Sequence, residues 1–200
     1  MKRPRASARA AGLEPLWAPW RMSWIRRAGS PAAAPARCLF CRVAGSHADR
    51  RDLVLARRAN ALLMLNRYPY ATAHLMVAVS RHAAQFHELT ADEGTDVLEL
   101  TAVAERALAT AYAPHGLNYG INFGRVAGAG FPGHLHLHLV PRWDGDTNFM
   151  PAIAHTRVLP ESLTDTWSRL RRSITAHVQH TQRARPGPAR KGAKRGTSRR

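Results

Sequence analysis

The segment "GHLHLHLVPRW" at residues 133–143 alternates histidine and leucine with a strict period of two. A strand turns successive side chains to opposite faces, whereas a helix repeats every 3.6 residues, so this pattern specifies a strand. His134, His136 and His138 then project from one side, at steps of roughly 6–7 Å, while Leu135, Leu137 and Leu139 point into a core. The polar face reads as a site and not as packing, and Pro141, Arg142 and Trp143 mark the strand's end.

The flanking sequence supplies partners for such a strand. Apolar runs at 61–65 and 75–79 are separated by a polar, proline-containing turn, a hairpin signal, and "DLVLA" precedes them. Thr90 and Glu93 stand in capping-box spacing ahead of Val97, Leu100, Ala104, Ala107, Leu108 and Ala111, which predicts a helix ended by Pro114 and Gly116. "LNYGINF" and "HLHLHLV" read as two more strands with a glycine-rich connection, and Leu163, Trp167, Leu170, Ile174 and Val178 keep helical spacing to about residue 180. Strand, strand, helix, strand, strand, helix predicts an α+β domain, an antiparallel sheet with packed helices.

Two chemistries fit the histidine face: metal ligation and phosphoryl or nucleotidyl transfer. A neutral imidazole with one nitrogen held protonated by a carbonyl keeps a free lone pair for attack on phosphorus. The loop "GRVAGAG" offers backbone N–H groups that approach phosphate oxygens with no Cβ in the way, and Arg125 and Arg142 lie close in sequence. Trp143 and the following "DTNFMP" could stack on a base, or serve a core or an interface.

The ends differ from this body. Residues 1–12 and 183–200 hold twelve of the basic residues, no acidic residue, and no apolar side chain larger than Ala except Met1. Such segments cannot bury enough surface to offset the entropy of ordering, so 1–12 and 181–200 are expected to be disordered basic tails. Most of the formal charge of +17 therefore belongs to the tails, where it gives salt-dependent affinity for polyanions, nucleic acid included. Between them the domain is expected to run over 13–180. Residues 13–37 form its arm and linker, the arm holding three of the five tryptophans. No apolar run is long enough for a bilayer, and no apolar stretch follows the basic start, so a cytoplasmic chain is expected; an Arg-rich, acid-poor start is also the composition of organellar presequences.

The histidine strand and its surroundings resemble the histidine triad (HIT) family of nucleotide hydrolases and transferases. "HLHLHLV" matches the family signature, and "LWAPWRMSWI", "CLFC", "LNRYPYATAHLMV", "LNYGINFG" and "VPRWDGDTNFMP" resemble the bacterial branch that includes diadenosine tetraphosphate phosphorylases, over roughly residues 13–175. The resemblance implies a HIT-like fold, a homodimer, and cleavage of the α–β phosphoanhydride of a dinucleoside polyphosphate. His136 matches the nucleophile and His138 the residue that binds the α-phosphate. Asn66 matches the ribose ligand, His74 a supporting histidine, and Asn122 a phosphate-contacting residue. Gly130 departs from the pattern: relatives carry Gln or Ser there, so the choice of water or phosphate as acceptor stays open.

Cys38 and Cys41, three apart, suggest a metal knuckle or a redox pair before a structural disulfide. In some relatives such a pair joins two histidines around zinc, and the matching positions here are His82 and His134; a Cys₂His₂ set would fill all four positions of a structural site. His47, His87, His115, His155, His177 and His180 have no such context and read as surface residues. The competing functions are a nucleoside phosphoramidate or acyl-adenylate hydrolase using the same residues, and, in another class, a nucleotide- or RNA-binding protein with vestigial catalysis.

Overall fold

A computed structural model describes residues 38–146 and 160–184, with side chains to residue 176. The expected basic tails, the tryptophan arm and linker, residues 147–151 of "DTNFMP", and the side chains of His155, His177 and His180 lie outside the described residues. The elements are α1 (Leu39–Ala44), α2 (Asp49–Asp52), β1 (Val54–Arg57), β2 (Ala61–Leu65), β3 (Leu75–Val79), a 3₁₀ turn (Phe86–Glu88), α3 (Ala91–Tyr112), β4 (Gly116–Gly120), β5 (His136–Arg142) and α4 (Leu163–Ala184). The strands form one sheet in the order β1-β2-β3-β5-β4, and every neighbouring pair is antiparallel.

The expected hairpin is present as β2 and β3, in unbroken register from Ala61↔Val79 to Leu65↔Leu75. β5 joins the far side of β3, with Ala78 opposite His136 and Met76 opposite His138. The histidines therefore continue a stripe that crosses the sheet through Leu62, Met64, Met76 and Ala78. β1 makes a fifth strand, and α1 and α2 add two short helices to the expected elements.

The leucine face carries the main core. Leu63, Leu65, Leu75, Val77, Leu135 and Leu139 pack against Val97, Leu100, Ala104, Ala107 and Leu108 of α3 and against Leu170 and Ile174 of α4. Thr90 and Glu93 close the predicted capping box, and α3 ends where Ala113 takes a left-handed conformation just before Pro114. Two acidic residues on the buried side of α3 tie it to strand ends: Glu93 accepts from Arg81 at 2.8 Å and Asp96 from Arg58 at 2.7 Å. α4 is fixed to the edge of the sheet by Trp167, whose Nε1 donates to the Val54 carbonyl at 2.8 Å.

One expectation needs correction and another is only part of the picture. The histidine face also carries packing: α1 covers it, and Cys38, Phe40, Val43, Val54, Leu62, Met64, Met76 and Ala78 form a second apolar cluster there. His134 and His136 are buried as a result. The strand also continues past Val140 through Pro141 to Arg142. Pro141 pairs with Leu117 of β4 and lies beyond the last β3 pair, Leu75↔Leu139, where a missing N–H breaks no bond to that strand.

Candidate active site and metal centre

The three histidines share a face but not a set of partners. His136 Nδ1 lies 2.7 Å from the carbonyl of His134, which can only accept, so this nitrogen carries the proton and Nε2 keeps the lone pair. Burial holds the ring below the ordinary histidine range against the opposing effect of that bond, which keeps it neutral near pH 7. The ring nevertheless borders open space: His136 and His138 line a cavity of about 590 Å³, together with Phe40, Asn66, Gly128 and Gly130. That volume lies within the range of small-molecule sites.

His138 is set by His74, which is wholly buried on β3's N-terminal side. The backbone N–H of Tyr70 donates to His74 Nδ1 at 3.1 Å, so the proton of His74 sits on Nε2. Nε2 in turn lies 3.0 Å from His138 Nδ1 and donates to it. A neutral His138 then carries its proton on Nε2, as a donor. Asn66 stands beside this relay with Nδ2 3.4 Å from His74 Nδ1, while its Oδ1 accepts from Tyr68 N at 2.9 Å.

The loop before β5 brings Gly128 and Gly130 to the cavity, and Gly128 has φ +89°, a conformation that favours glycine. Asn122 is not among the residues lining the cavity; its Nδ2 lies 4.0 Å from where a Cβ on Gly128 would stand, so it faces the loop. The expected arginines are elsewhere. Arg142 sits at the opposite end of β5 from the histidines, tied to Asp146 and Asn118, and Arg125 is exposed away from the cavity lining. Arg42 and Arg67 line the cavity instead. They escape sequence reading because α1 and the β2–β3 turn, far from β5 in the chain, bring them there. Trp143 donates to the Tyr112 carbonyl at 3.4 Å and is not part of the lining, and His47, His87 and His115 are exposed as expected.

Behind the cavity, one ligand atom each from Cys38, Cys41, His82 and His134 lies within 4.8 Å of the others. Cys38 Sγ is 3.3 Å and Cys41 Sγ 3.7 Å from His134 Nδ1, and Cys41 Sγ is 3.3 Å from His82 Nδ1. Zinc–sulfur bonds of about 2.3 Å and zinc–nitrogen bonds of about 2.0–2.1 Å at the tetrahedral angle put S and N about 3.6 Å apart, so the donors fit such an ion. His134 donates from Nε2 to the Val79 carbonyl at 2.8 Å, which leaves Nδ1 bare toward the sulfurs, and burial holds its pKa down at about 4. Burial and the neighbouring Cys38 push the Cys41 thiol up to about 11, so ligation there would release a proton. This Cys₂His₂ set could hold a metal.

The fold and site thus define an α+β domain with a histidine-lined cavity on one side of a strand's polar face and a four-donor cluster on the other. A family model described as HIT domain matches residues 49–145. The chain is 37% identical over 159 residues to the AP-4-A phosphorylase of Mycobacterium tuberculosis, covering 77% of this chain and 80% of that one. It is 31% identical over 105 residues to an adenosine 5'-monophosphoramidase of Schizosaccharomyces pombe, covering 52% and 74%. Among solved structures, a Zn-bound histidine triad family protein from Mycobacterium smegmatis superposes with a TM-score of 0.58 at 21% identity, over 74% of this chain and 99% of that one. A hypothetical histidine triad nucleotide-binding protein from Sulfolobus tokodaii gives 0.58 at 22%, over 75% and 100%. These two show a shared fold.

The chain belongs to the HIT domain family and is an enzyme of it. No helix among the described residues is long and apolar enough to cross a membrane.

Proposed function

We propose that the protein cleaves the α–β phosphoanhydride of a dinucleoside polyphosphate, diadenosine tetraphosphate or a close analogue, through a nucleotidyl-histidine at His136. The observation that carries this reading is the His136 ring itself: neutral, with Nδ1–H tied to a carbonyl at 2.7 Å, and bordering the cavity. The similarity to a relative named AP-4-A phosphorylase supports the substrate class.

In the first step His136 Nε2 attacks the α-phosphorus, the P–N bond forms, and the bridging P–O bond breaks with its electrons leaving on the polyphosphate. In the second, water or inorganic phosphate attacks the same phosphorus, the P–N bond breaks, Nε2 recovers its lone pair, and the proton of an attacking water passes to solvent. Two inversions give net retention at phosphorus. His138 donates from Nε2 to a nonbridging α-phosphate oxygen, a charge-assisted bond that strengthens as negative charge gathers there. Gly128 and Gly130 carry no Cβ and let the loop backbone come close to the same oxygens, with the Gly128 N–H itself held by the Arg125 carbonyl at 3.0 Å. Asn66 binds the ribose hydroxyls, His74 supports His138, and Asn122 steadies the glycine loop beside the phosphates.

Cys38, Cys41, His82 and His134 hold a structural zinc, an assignment supported by their N and S donors lying within 4.8 Å of one another. With all four positions filled by protein, the ion organises the chain and takes no part in bond breaking. The active assembly is a homodimer in the cytoplasm, and the domain spans 13–180 with accessory basic tails able to bind nucleic acid.

The experiment is product analysis with diadenosine tetraphosphate, with and without phosphate. ADP plus ATP marks phosphate as acceptor, AMP plus ATP marks water. An alkaline quench preserves the P–N adduct, which mass spectrometry then places on the peptide containing His136. His136→Ala abolishes turnover while nucleotide binding survives; undiminished turnover in that variant refutes the role. The similarity to an adenosine monophosphoramidase supports a second reading, hydrolysis of a nucleoside phosphoramidate by the same residues, and absence of products from the dinucleotide with cleavage of adenosine 5'-phosphoramidate would favour it.

A further inference from the structure

One side chain touches the four-donor cluster, the proposed nucleophile and the loop before β5. Phe40 lies between Cys38 and Cys41 in the chain, on α1, and is 1% exposed. Its ring is tilted against His134 at 5.0 Å between centroids and 36°, and against His136 at 4.8 Å and 32°. Its edge meets Phe131 of the loop before β5 at 5.6 Å and 75°. Phe40 therefore packs on a donor of the Cys₂His₂ set, on the proposed nucleophile, and on the glycine-containing loop.

The nucleophile needs such a support. Among the described contacts, the polar tie of the His136 ring is a single bond at Nδ1, and one hydrogen bond leaves a planar ring able to rock about that atom. The faces and edges fix the rest: Phe40 lies tilted against one side and His138 meets the ring edge-on at 4.9 Å and 72°. The support is itself conditional. α1 has six residues, too few to hold a helix by its own hydrogen bonds. It is held by the burial of Phe40 and Val43, by Arg57 bonding the Val43 and Ala44 carbonyls, and by its two cysteines. The cysteines meet their histidine partners from the segment just ahead of β5 and from the turn after β3.

We propose that Phe40 is a positioning residue through which closure of the Cys38–Cys41–His82–His134 centre sets the orientation of the His136 ring. With the centre closed, α1 is pinned at both cysteines and presses the Phe40 ring against His136, with Nε2 toward the cavity. With the centre open, α1 loosens, Phe40 withdraws, and His136 rocks about its Nδ1 bond. The metal thereby governs the rate of the first step without approaching the phosphate. The kinetic part of this inference rests on the function proposed above, while the ring's orientation does not.

The test uses the full chain in three forms: wild type loaded with zinc, wild type stripped by a chelator and then reloaded with zinc, and Phe40→Leu, which keeps apolar bulk but removes the flat ring. Nitrogen-resolved NMR of the histidine rings follows the exchange of the His136 Nδ1 proton, and a rapid alkaline quench follows formation of the adduct. The loaded wild type is expected to show a slowly exchanging Nδ1 proton. Chelation should speed that exchange and slow adduct formation by roughly 10- to 100-fold, the scale of a small misplacement of a reacting atom, with recovery on adding zinc. Phe40→Leu should keep its zinc, reproduce both changes, alter KM by less than about twofold, and respond no further to chelation.

The proposal is overturned if stripping the wild type leaves proton exchange unchanged. It is equally overturned if Phe40→Leu raises KM with kcat intact, for then Phe40 is only a wall of the cavity. Should Phe40→Leu not fold, the stripped and reloaded wild type decides alone. A wild type that shows the protected proton and its loss on chelation but never forms an adduct refutes the proposed function and leaves the positioning role standing.

Discussion

Replacing His74 by Leu tests whether a buried relay sets the working proton of His138. His74 is wholly enclosed, accepts the Tyr70 N–H at Nδ1 and donates from Nε2 to His138 at 3.0 Å. Leu fills most of the space but supplies neither bond. His138 Nδ1 then has no donor from that side, and the ring gains by moving its proton to Nδ1, which turns a lone pair toward the phosphate. The loss is a hydrogen bond to a charged group, about 1.5–3 kcal/mol, or roughly a 10- to 150-fold fall in kcat/KM. Leaving the Tyr70 N–H and His138 Nδ1 unpaired costs a further stability penalty of about 1–3 kcal/mol, visible as a lower Tm. His74→Gln is the companion variant, since its amide N–H reaches the position of the distal ring nitrogen; it should regain a large part of the activity. The assay is steady-state turnover of diadenosine tetraphosphate beside thermal unfolding. If His74→Leu keeps turnover within twofold of wild type while losing stability, His74 is packing and the relay does not set the proton.

Cys41→Ser should lose bound zinc by elemental analysis and unfold at a temperature lower by roughly 4 °C or more, as expected when a ligand that binds only the folded chain is lost. Glu93 is held at about 2, below its ordinary 4.5, by Arg81 and then the Thr90 N–H. A carboxylate depressed in the folded state stabilises above its unfolded pKa and loses that contribution as pH falls through the folded value. Glu93→Gln should therefore be less stable than wild type at pH 7, and the difference should shrink from about pH 4.5 and vanish near pH 2; a constant difference in urea-melt midpoints across that range would count against the pairing. Thr90→Ala removes one half of the capping box and should cost about 1 kcal/mol in denaturant unfolding, with turnover unchanged.

Much of this arrangement is legible in the chain because local rules and tertiary packing agree. The period-two histidine stripe, the hairpin at 61–65 and 75–79, and the capped helix after Thr90 all depend on neighbours in sequence. Cys38, Cys41, His82 and His134 were brought into view by family resemblance, and their atoms do cluster. What could not be read depends on contacts between distant segments. Six residues from Leu39 to Ala44 carry too little periodicity to announce a helix, yet that helix lays apolar packing over the face that the alternation marked as polar. Arg42 and Arg67 reach the cavity from α1 and the β2–β3 turn, whereas Arg142, nearer the histidines in sequence, is carried off along the strand toward Asp146. Closeness in a strand is a poor guide to closeness in a site, because each residue advances about 3.3 Å.

Three histidines at a spacing of two, one just ahead of β5 and two on it, can do three different jobs only if their surroundings place the proton differently on each ring. His134 spends Nε2–H on the Val79 carbonyl and turns a bare Nδ1 to the sulfurs. His136 spends Nδ1–H on the carbonyl of His134, two residues back, and keeps Nε2 bare. His138 accepts the hydrogen bond of His74 Nε2–H at Nδ1 and holds its own proton on Nε2. The order along the strand is thus acceptor toward metal donors, acceptor toward the cavity, donor toward the cavity. The backbone sets the first two through the Val79 carbonyl of β3 and the His134 carbonyl just ahead of β5, and a buried side chain sets the third. A substitution that keeps a histidine but removes its partner should therefore damage function as a substitution of the histidine itself does, which is why His74 and the Val79 register belong to the site as much as the rings that line it.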